Sequence, residues 1–229
     1  EKRFSVPWTA PAPRMREYIQ AVRAIWAAWK GDGKLNYEGK HYRFTLMTPN
    51  FVPEAYDGPA PRIGLAAVGP YMLKVAAEES DGAKLHVFCT RKYLENKVMP
   101  ILAEGLAKTG RTREQFEISG GGFVVTGKDD AAVQKLFDWV RYRVAFYGST
   151  PAYWPVFEEH GLGDLGRKLN AMTKAGQWDS IAGEVSDDVV KQVFPGRGRI
   201  CSDHEAEDKY QQFFSPSRAA AAAEPMQEF

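Results

Sequence analysis

Apolar residues recur every three or four positions from Met15 to Trp29, taking in Tyr18, Ile19, Val22, Ile25 and Trp26, and predict one amphipathic helix. Pro13 suits its first turn, and Gly31-Asp32-Gly33 its end. Positions 35–44, with Tyr37, Tyr42 and Phe44, read as a short extended excursion, and Pro49, Pro53, Pro59 and Pro61 punctuate a loop behind it. The period then shortens. Arg62-Ile63-Gly64-Leu65-Ala66-Ala67-Val68 is a nearly continuous apolar run, the pattern of a strand buried on both faces. Gly69-Pro70 breaks it, 71–80 reads as a helix, Asp81-Gly82 as a turn and 83–88 as a second strand. A helix over 91–108 turns Tyr93, Leu94, Val98, Ile101, Leu102 and Leu106 inward, with Pro100 as a point of kinking. A third strand, 117–126, is interrupted by Gly120-Gly121-Gly122, and Asp129 or Asp130 caps a helix carrying Val133, Leu136, Phe137, Val140 and Val144.

Strands alternating with helices predict an α/β protein built from parallel βαβ units. Right-handed crossovers leave two architectures, an open doubly wound sheet or a closed β/α barrel. Three regions follow: strand–helix units over 1–149, a helical insertion over 150–194, and an irregular tail over 195–229. In the insertion, Thr150-Pro151 and Ser186-Asp187-Asp188 are helix starts, and Gly161, Gly163 and Gly176 divide it into short helices. The tail loses all periodicity.

Composition narrows the class. In 229 residues, 44% are hydrophobic and 26% charged, as in ordinary globular proteins. Lys and Arg number 30 against 29 Asp and Glu, so no global field recruits nucleic acid or anionic lipid. No apolar run approaches the ~18 residues of a membrane span. The two cysteines, Cys89 and Cys201, make no disulfide framework and suit a reducing cytoplasm.

The most informative segment chemically is Ala66-Ala67-Val68-Gly69-Pro70. A small-residue turn between a parallel strand and a helix presents free N–H groups at the positive end of the helix dipole, a geometry that binds phosphate. The same residues would equally make a tight βα turn with no ligand. Gly120-Gly121-Gly122 reads either as a bulge or as the close approach of a ligand. His86 and Cys89, with Thr90-Arg91 opening the next helix, are either polar groups at a pocket mouth or an ordinary strand end. His41, His160 and His204 show no metal-ligand spacing, so no metal is expected. The pair Trp26 and Trp29, and the group Tyr147, Tyr153 and Trp154, read as core. No nucleophile elbow and no complete phosphate loop is present.

Several segments together resemble the luciferase-like monooxygenase family, and within it the deazaflavin-dependent branch that uses coenzyme F-420. They are Arg14-Met15-Arg16-Glu17-Tyr18, Ala24-Ile25-Trp26, Tyr37-Glu38-Gly39-Lys40-His41-Tyr42, Phe44-Thr45-Leu46, and Ile63 through Pro70 with 76–82 behind it. Phe123-Val124-Val125-Thr126-Gly127, the run from Ala145 to Tyr153, and Gly161-x-Gly163-Asp164-Leu165 continue the match. The resemblance implies a TIM-type β/α barrel with its cofactor at the carboxyl ends of the strands. Ala66, Ala67, Val68, Gly69 and Pro70 would form the phosphate-contacting turn, and His86 and Thr90 would face the substrate side. It implies coenzyme F-420, or alternatively FMN, a small-molecule substrate, a cytoplasmic setting and, as in many family members, a homodimer.

The family pattern also places about four strand–helix units ahead of Glu1, and a last strand where the chain reads Pro195-Gly196-Arg197-Gly198-Arg199. At roughly 30 or more residues per βα unit, positions 1–149 hold about four to five units, fewer than a closed eight-stranded barrel of ~250 residues needs. The sequence therefore reads as a portion of such a barrel, with amino-terminal strands and the last strand absent. Hydride transfer between a deazaflavin or flavin and a small organic substrate is the expected chemistry; no general acid or base is identified. A truncated, non-catalytic homologue acting as an interaction module is the alternative, and an unrelated open α/β fold binding a mononucleotide is a third.

Overall fold

The computed structural model describes residues 5, 7–54, 58–120, 122–127 and 129–194, so the tail expected over 195–229 and the middle of the glycine triplet lie outside the described residues. Helix α1, Pro11–Lys30, begins at its proline pair and stops where Gly31 takes a left-handed φ of 84°. Only Ile19 and Ala21 of this helix are buried. Charge does much of its docking: Arg16 pairs with Glu78 and Glu79, and Arg23 reaches both carboxylate oxygens of Asp81 at 3.0 Å. Asp81 in turn accepts from the Ile63 amide at 2.7 Å, tying α1 to the start of the sheet. The excursion that follows is a small antiparallel hairpin, β1 (Tyr37–Glu38) and β2 (Arg43–Phe44).

Three parallel strands form the described sheet: β3 (Gly64–Ala67), β4 (Gly82–Leu85) and β5 (Glu117–Ser119), in the order β3-β4-β5. Helix α2, Pro70–Glu79, joins the first two strands. Helix α3, Arg91–Tyr93, a wide π segment over Leu94–Val98 and helix α4, Met99–Lys108, lead from β4 towards β5. The expected single helix over 91–108 is thus continuous in course but changes its hydrogen-bond pattern. Pro100 explains the place: it has no N–H, and in an α-turn its ring would press on the carbonyl four residues earlier, so the chain widens there.

Burial corrects one expectation. Leu65, Ala67, Ala83, Leu85 and Ile118 are buried, while Gly64, Ala66, Lys84 and Glu117 are exposed. Strand β3 therefore alternates and is covered on one face. The run looked continuous because Gly64 and Ala66 add no polarity to the pattern, although they also bury little. The third strand is shorter than expected and leaves the sheet at Gly120, whose φ is 149°. A Cβ there would lie 2.9 Å from Leu85 Cβ and 3.0 Å from its carbonyl oxygen, so the glycine is required by the approach of β4.

Helix α5, Asp130–Gly148, is capped by Asp129, whose carboxylate accepts from the Ala132 amide at 2.8 Å. It packs with α7 (Gly163–Lys174), the 3-10 segment Trp178–Glu184 and α8 (Asp187–Val193), and α6 (Trp154–Glu158) joins them through α7. Phe157, Leu169, Ile181 and Val190 fill the centre of this helical group. Phe88 touches Tyr147, Tyr153 and Phe157, with ring centroids 5.3–6.0 Å apart, and so seats the group beside the carboxyl end of β4.

Candidate functional site

The parallel ladder pairs Ala67 with Leu85, so Val68 and His86 leave the sheet side by side. This brings the predicted turn and the predicted strand-end histidine to one end of adjacent strands. Along the turn, Ala66 lies on the open face, Ala67 is buried, Val68 and Gly69 are half-buried and Pro70 begins α2. Gly69 is the residue before the helix, in extended conformation (φ −87°, ψ 164°), and its carbonyl accepts the first helical bond from Leu73 at 3.0 Å. Among the described residues no acceptor reaches the amides of Gly69, Tyr71 or Met72. The first turn of α2 carries no acidic side chain, and a Cβ built at Gly69 would meet no atom within 4 Å. Free amides, a ten-residue helix behind them and open space in front suit a phosphate ester.

His86 stacks on Tyr153 (centroids 4.6 Å apart, planes at 28°) and meets the edge of Tyr147 at 4.6 Å. Its Nδ1 accepts from the Phe88 amide at 3.1 Å, which leaves the proton of the neutral ring on Nε2. Burial, and then the positive charge of Arg143, hold its pKa below the ordinary histidine value. The ring is thereby set up as a neutral donor at physiological pH.

Thr90 has a different place. It is buried, and its Oγ1 accepts from the Tyr93 amide at 3.2 Å as the cap of α3, and lies 2.9 Å from His160 Nε2. Its oxygen is therefore engaged within the fold. Burial pushes the Cys89 thiol up to about 12, which removes it as a thiolate nucleophile.

The sequence pattern reads Tyr147 and Tyr153 as core and does not bring them to His86, which both rings touch. Tyr147 lies in the last turn of α5 and Tyr153 in the 3-10 turn Pro151–Tyr153, a spacing with no periodic signature, and only the tertiary fold converges them. Arg143, four residues before Tyr147, was passed over. Its Nη2 donates to the Tyr147 hydroxyl at 2.8 Å, and its guanidinium lies 5.0–5.5 Å from the rings of Trp139, Phe146 and Tyr147. An i, i+4 Arg–Tyr pair was the available signal.

A shallow depression lies at the opposite, amino ends of the strands, between Arg62, Gly64, Asp81 and Glu117. Arg62 stands 3.5 Å from Glu117 there and Asp81 is held by Arg23, so the depression offers a ligand little. Among the described residues no group of three or more His, Cys, Asp or Glu converges as for a metal ion, and no helix is long and apolar enough to cross a membrane.

This arrangement of parallel strands and helices has known counterparts. The chain is 23% identical to the coenzyme F-420-dependent tetrahydromethanopterin reductase of Methanopyrus kandleri and superposes on it with a TM-score of 0.61, over 82% of this chain and 51% of that one. An uncharacterized protein of Mycobacterium tuberculosis is 45% identical over 190 residues, 83% of this chain and 56% of its own. The F-420-dependent glucose-6-phosphate dehydrogenase of Nocardia farcinica is 35% identical over 108 residues, 45% of this chain and 29% of its own. The chain thus spans about half the length, or less, of these proteins. The family model described as luciferase-like monooxygenase matches residues 1–221, and on that match, over a fold with parallel strand–helix units, the chain belongs to the luciferase-like monooxygenase family.

Proposed function

We propose that this chain supplies the phosphate-binding turn and one wall of the cofactor pocket of a deazaflavin-dependent oxidoreductase acting on a small organic substrate. The observation that carries the reading is the turn at Gly69, with amides unmatched and space open before them. Relatives named as F-420-dependent enzymes favour coenzyme F-420 over FMN. When bound, the deazaflavin ring would supply two-electron hydride chemistry.

The chain's own residues have separable roles. The amides of Gly69, Tyr71 and Met72 hold the cofactor's phosphate, and Ala66, Ala67, Val68 and Pro70 shape the small-residue turn that leaves the space before them open. His86 presents Nε2–H as a neutral donor on the substrate side, oriented by the Phe88 amide and the two tyrosine rings. Tyr147 and Tyr153 cover the sides of that ring and narrow the approach to its donor. Thr90 acts on the substrate side indirectly, by fixing the start of α3 and the position of His160.

Fluorescence titration of the purified chain with coenzyme F-420 and, separately, with FMN tests the reading. Saturable binding of F-420, tighter than that of FMN, is expected, and binding of neither withdraws it. The open sheet face, where Gly64, Ala66 and Lys84 are exposed, favours a second reading, a non-catalytic homologue that self-associates. A monomer in light scattering, with two-state unfolding, would argue against it.

A further inference from the structure

Arg143 carries a charge that the fold does not neutralise. Two residues away, Arg141 pairs with Asp138 and Asp187. Among the described residues no carboxylate reaches Arg143; its one hydrogen-bond acceptor is the Tyr147 hydroxyl. Its Nε is buried with no acceptor at all. A buried donor left unmatched costs about 1–3 kcal/mol, and the rings of Trp139, Phe146 and Tyr147 return part of that through cation–π attraction. The result is a guanidinium fixed in orientation, partly stripped of water and lacking a counter-ion. Tyr147 also touches His86, so the collar adjoins the end of β4. Phe123 closes the collar against Trp139 and Tyr147, with centroids 6.1 and 6.3 Å away.

We propose that Arg143, with the collar of Trp139, Phe146 and Tyr147, is a binding site for a small organic carboxylate with an apolar body, carried by the substrate of the reaction proposed above. The guanidinium matches a planar carboxylate, and with Nε buried and Nη2 given to Tyr147, Nη1 receives it. The rings supply an apolar surface for the rest of the molecule, where a fully hydrated ion such as inorganic phosphate gains less. The identity of the substrate rests on the oxidoreductase reading; the carboxylate site itself does not.

Calorimetric titration of the full chain with benzoate, benzyl alcohol and inorganic phosphate tests the site. Benzoate is expected to bind at least about tenfold more tightly than its neutral isostere, the increment of a charge-assisted pair. Arg143→Gln, which keeps most of the stem over the rings, should weaken benzoate by about tenfold or more; Arg143→Lys should fall between, and Lys135→Gln on the same helix should change nothing. Equal binding of benzoate and benzyl alcohol by the wild-type chain overturns the proposal without recourse to a variant, as does benzoate affinity unchanged in a folded Arg143→Gln, or preference for phosphate. Coenzyme F-420 titrated in parallel separates the two claims. Cofactor bound with no benzoate discrimination sinks this site alone, and benzoate discriminated with no cofactor bound supports the site while withdrawing the oxidoreductase reading.

Discussion

Ala77 and Gly105 meet where α2 crosses α4: a Cβ built on Gly105 would stand 2.6 Å from the Ala77 methyl. Both residues are buried, Ala77 at 0% exposure, so neither helix has room to recoil without opening the layer over β3 and β4. In an exposed helix, Gly→Ala stabilises by about 1 kcal/mol. Here overpacking, at about 1–3 kcal/mol, opposes and should exceed that gain. Gly105→Ala is expected to lower the urea midpoint with an unchanged m-value. A raised midpoint would show that the two helices do not touch as described.

The two half-buried histidines make stability depend on pH. His86 and His160 both have pKa values below the ordinary 6.5, chiefly through burial, with Arg143 adding to the effect at His86 and Lys92 at His160. Below pH 6.5 the unfolded chain therefore binds more protons than the folded one. Stability is complete above that pH and declines as pH falls through about 6.5 towards the depressed native values. The lowered carboxylates, Glu17, Glu104, Glu114 and Glu159, act in the same direction but only below about 4.5. Urea unfolding at pH 7.5 and 5.5 should show the loss in the wild-type chain and a smaller loss in His160→Gln. Identical slopes for the two proteins would contradict the burial of His160.

Much of this architecture was legible because local rules and tertiary packing agree. Gly31 stops α1, Asp129 and Ser186 cap their helices, and Pro70 opens α2, each by chemistry confined to a few neighbouring residues. Two features were not legible for opposite reasons. The exposure of Gly64 and Ala66 was hidden because small residues satisfy an apolar pattern without needing burial. The layer joining His86 to Tyr147 and Tyr153 was hidden because it forms across elements more than 60 residues apart, where no periodicity reaches. The Gly69 turn stood between these cases: its shape was readable, but the freedom of its amides is a property of everything that does not approach it.

Cys89 should be chemically quiet. With its thiol pushed up to about 12 by burial, almost none is thiolate at pH 8. In a Cys201→Ser background, the remaining thiol is expected to react with a disulfide reagent at least about a hundredfold more slowly in buffer than in denaturing urea. Comparable rates in the two solvents would place Cys89 in the solvent and reopen it as a site residue.

The sharpest test of the cofactor turn separates folding from binding at Gly69. Its extended φ and ψ accept any residue, and a Cβ there meets nothing, so Gly69→Asp introduces no strain. Aspartate is a better residue than glycine before a helix, by a few tenths of a kcal/mol, because its carboxylate bonds to the free amides of the first turn. Those are the amides assigned to the phosphate. The substitution thus fills the donors intramolecularly and adds a negative charge where an anion should sit, two effects that both oppose binding. The expected outcome is a melting temperature equal to or slightly above the wild type, together with coenzyme F-420 affinity reduced by about tenfold or more. Gly69→Ala, which leaves the amides free, should bind within a fewfold of the wild type. An Asp variant that binds the cofactor as well as the wild type would detach the phosphate from this turn, whatever its melting temperature.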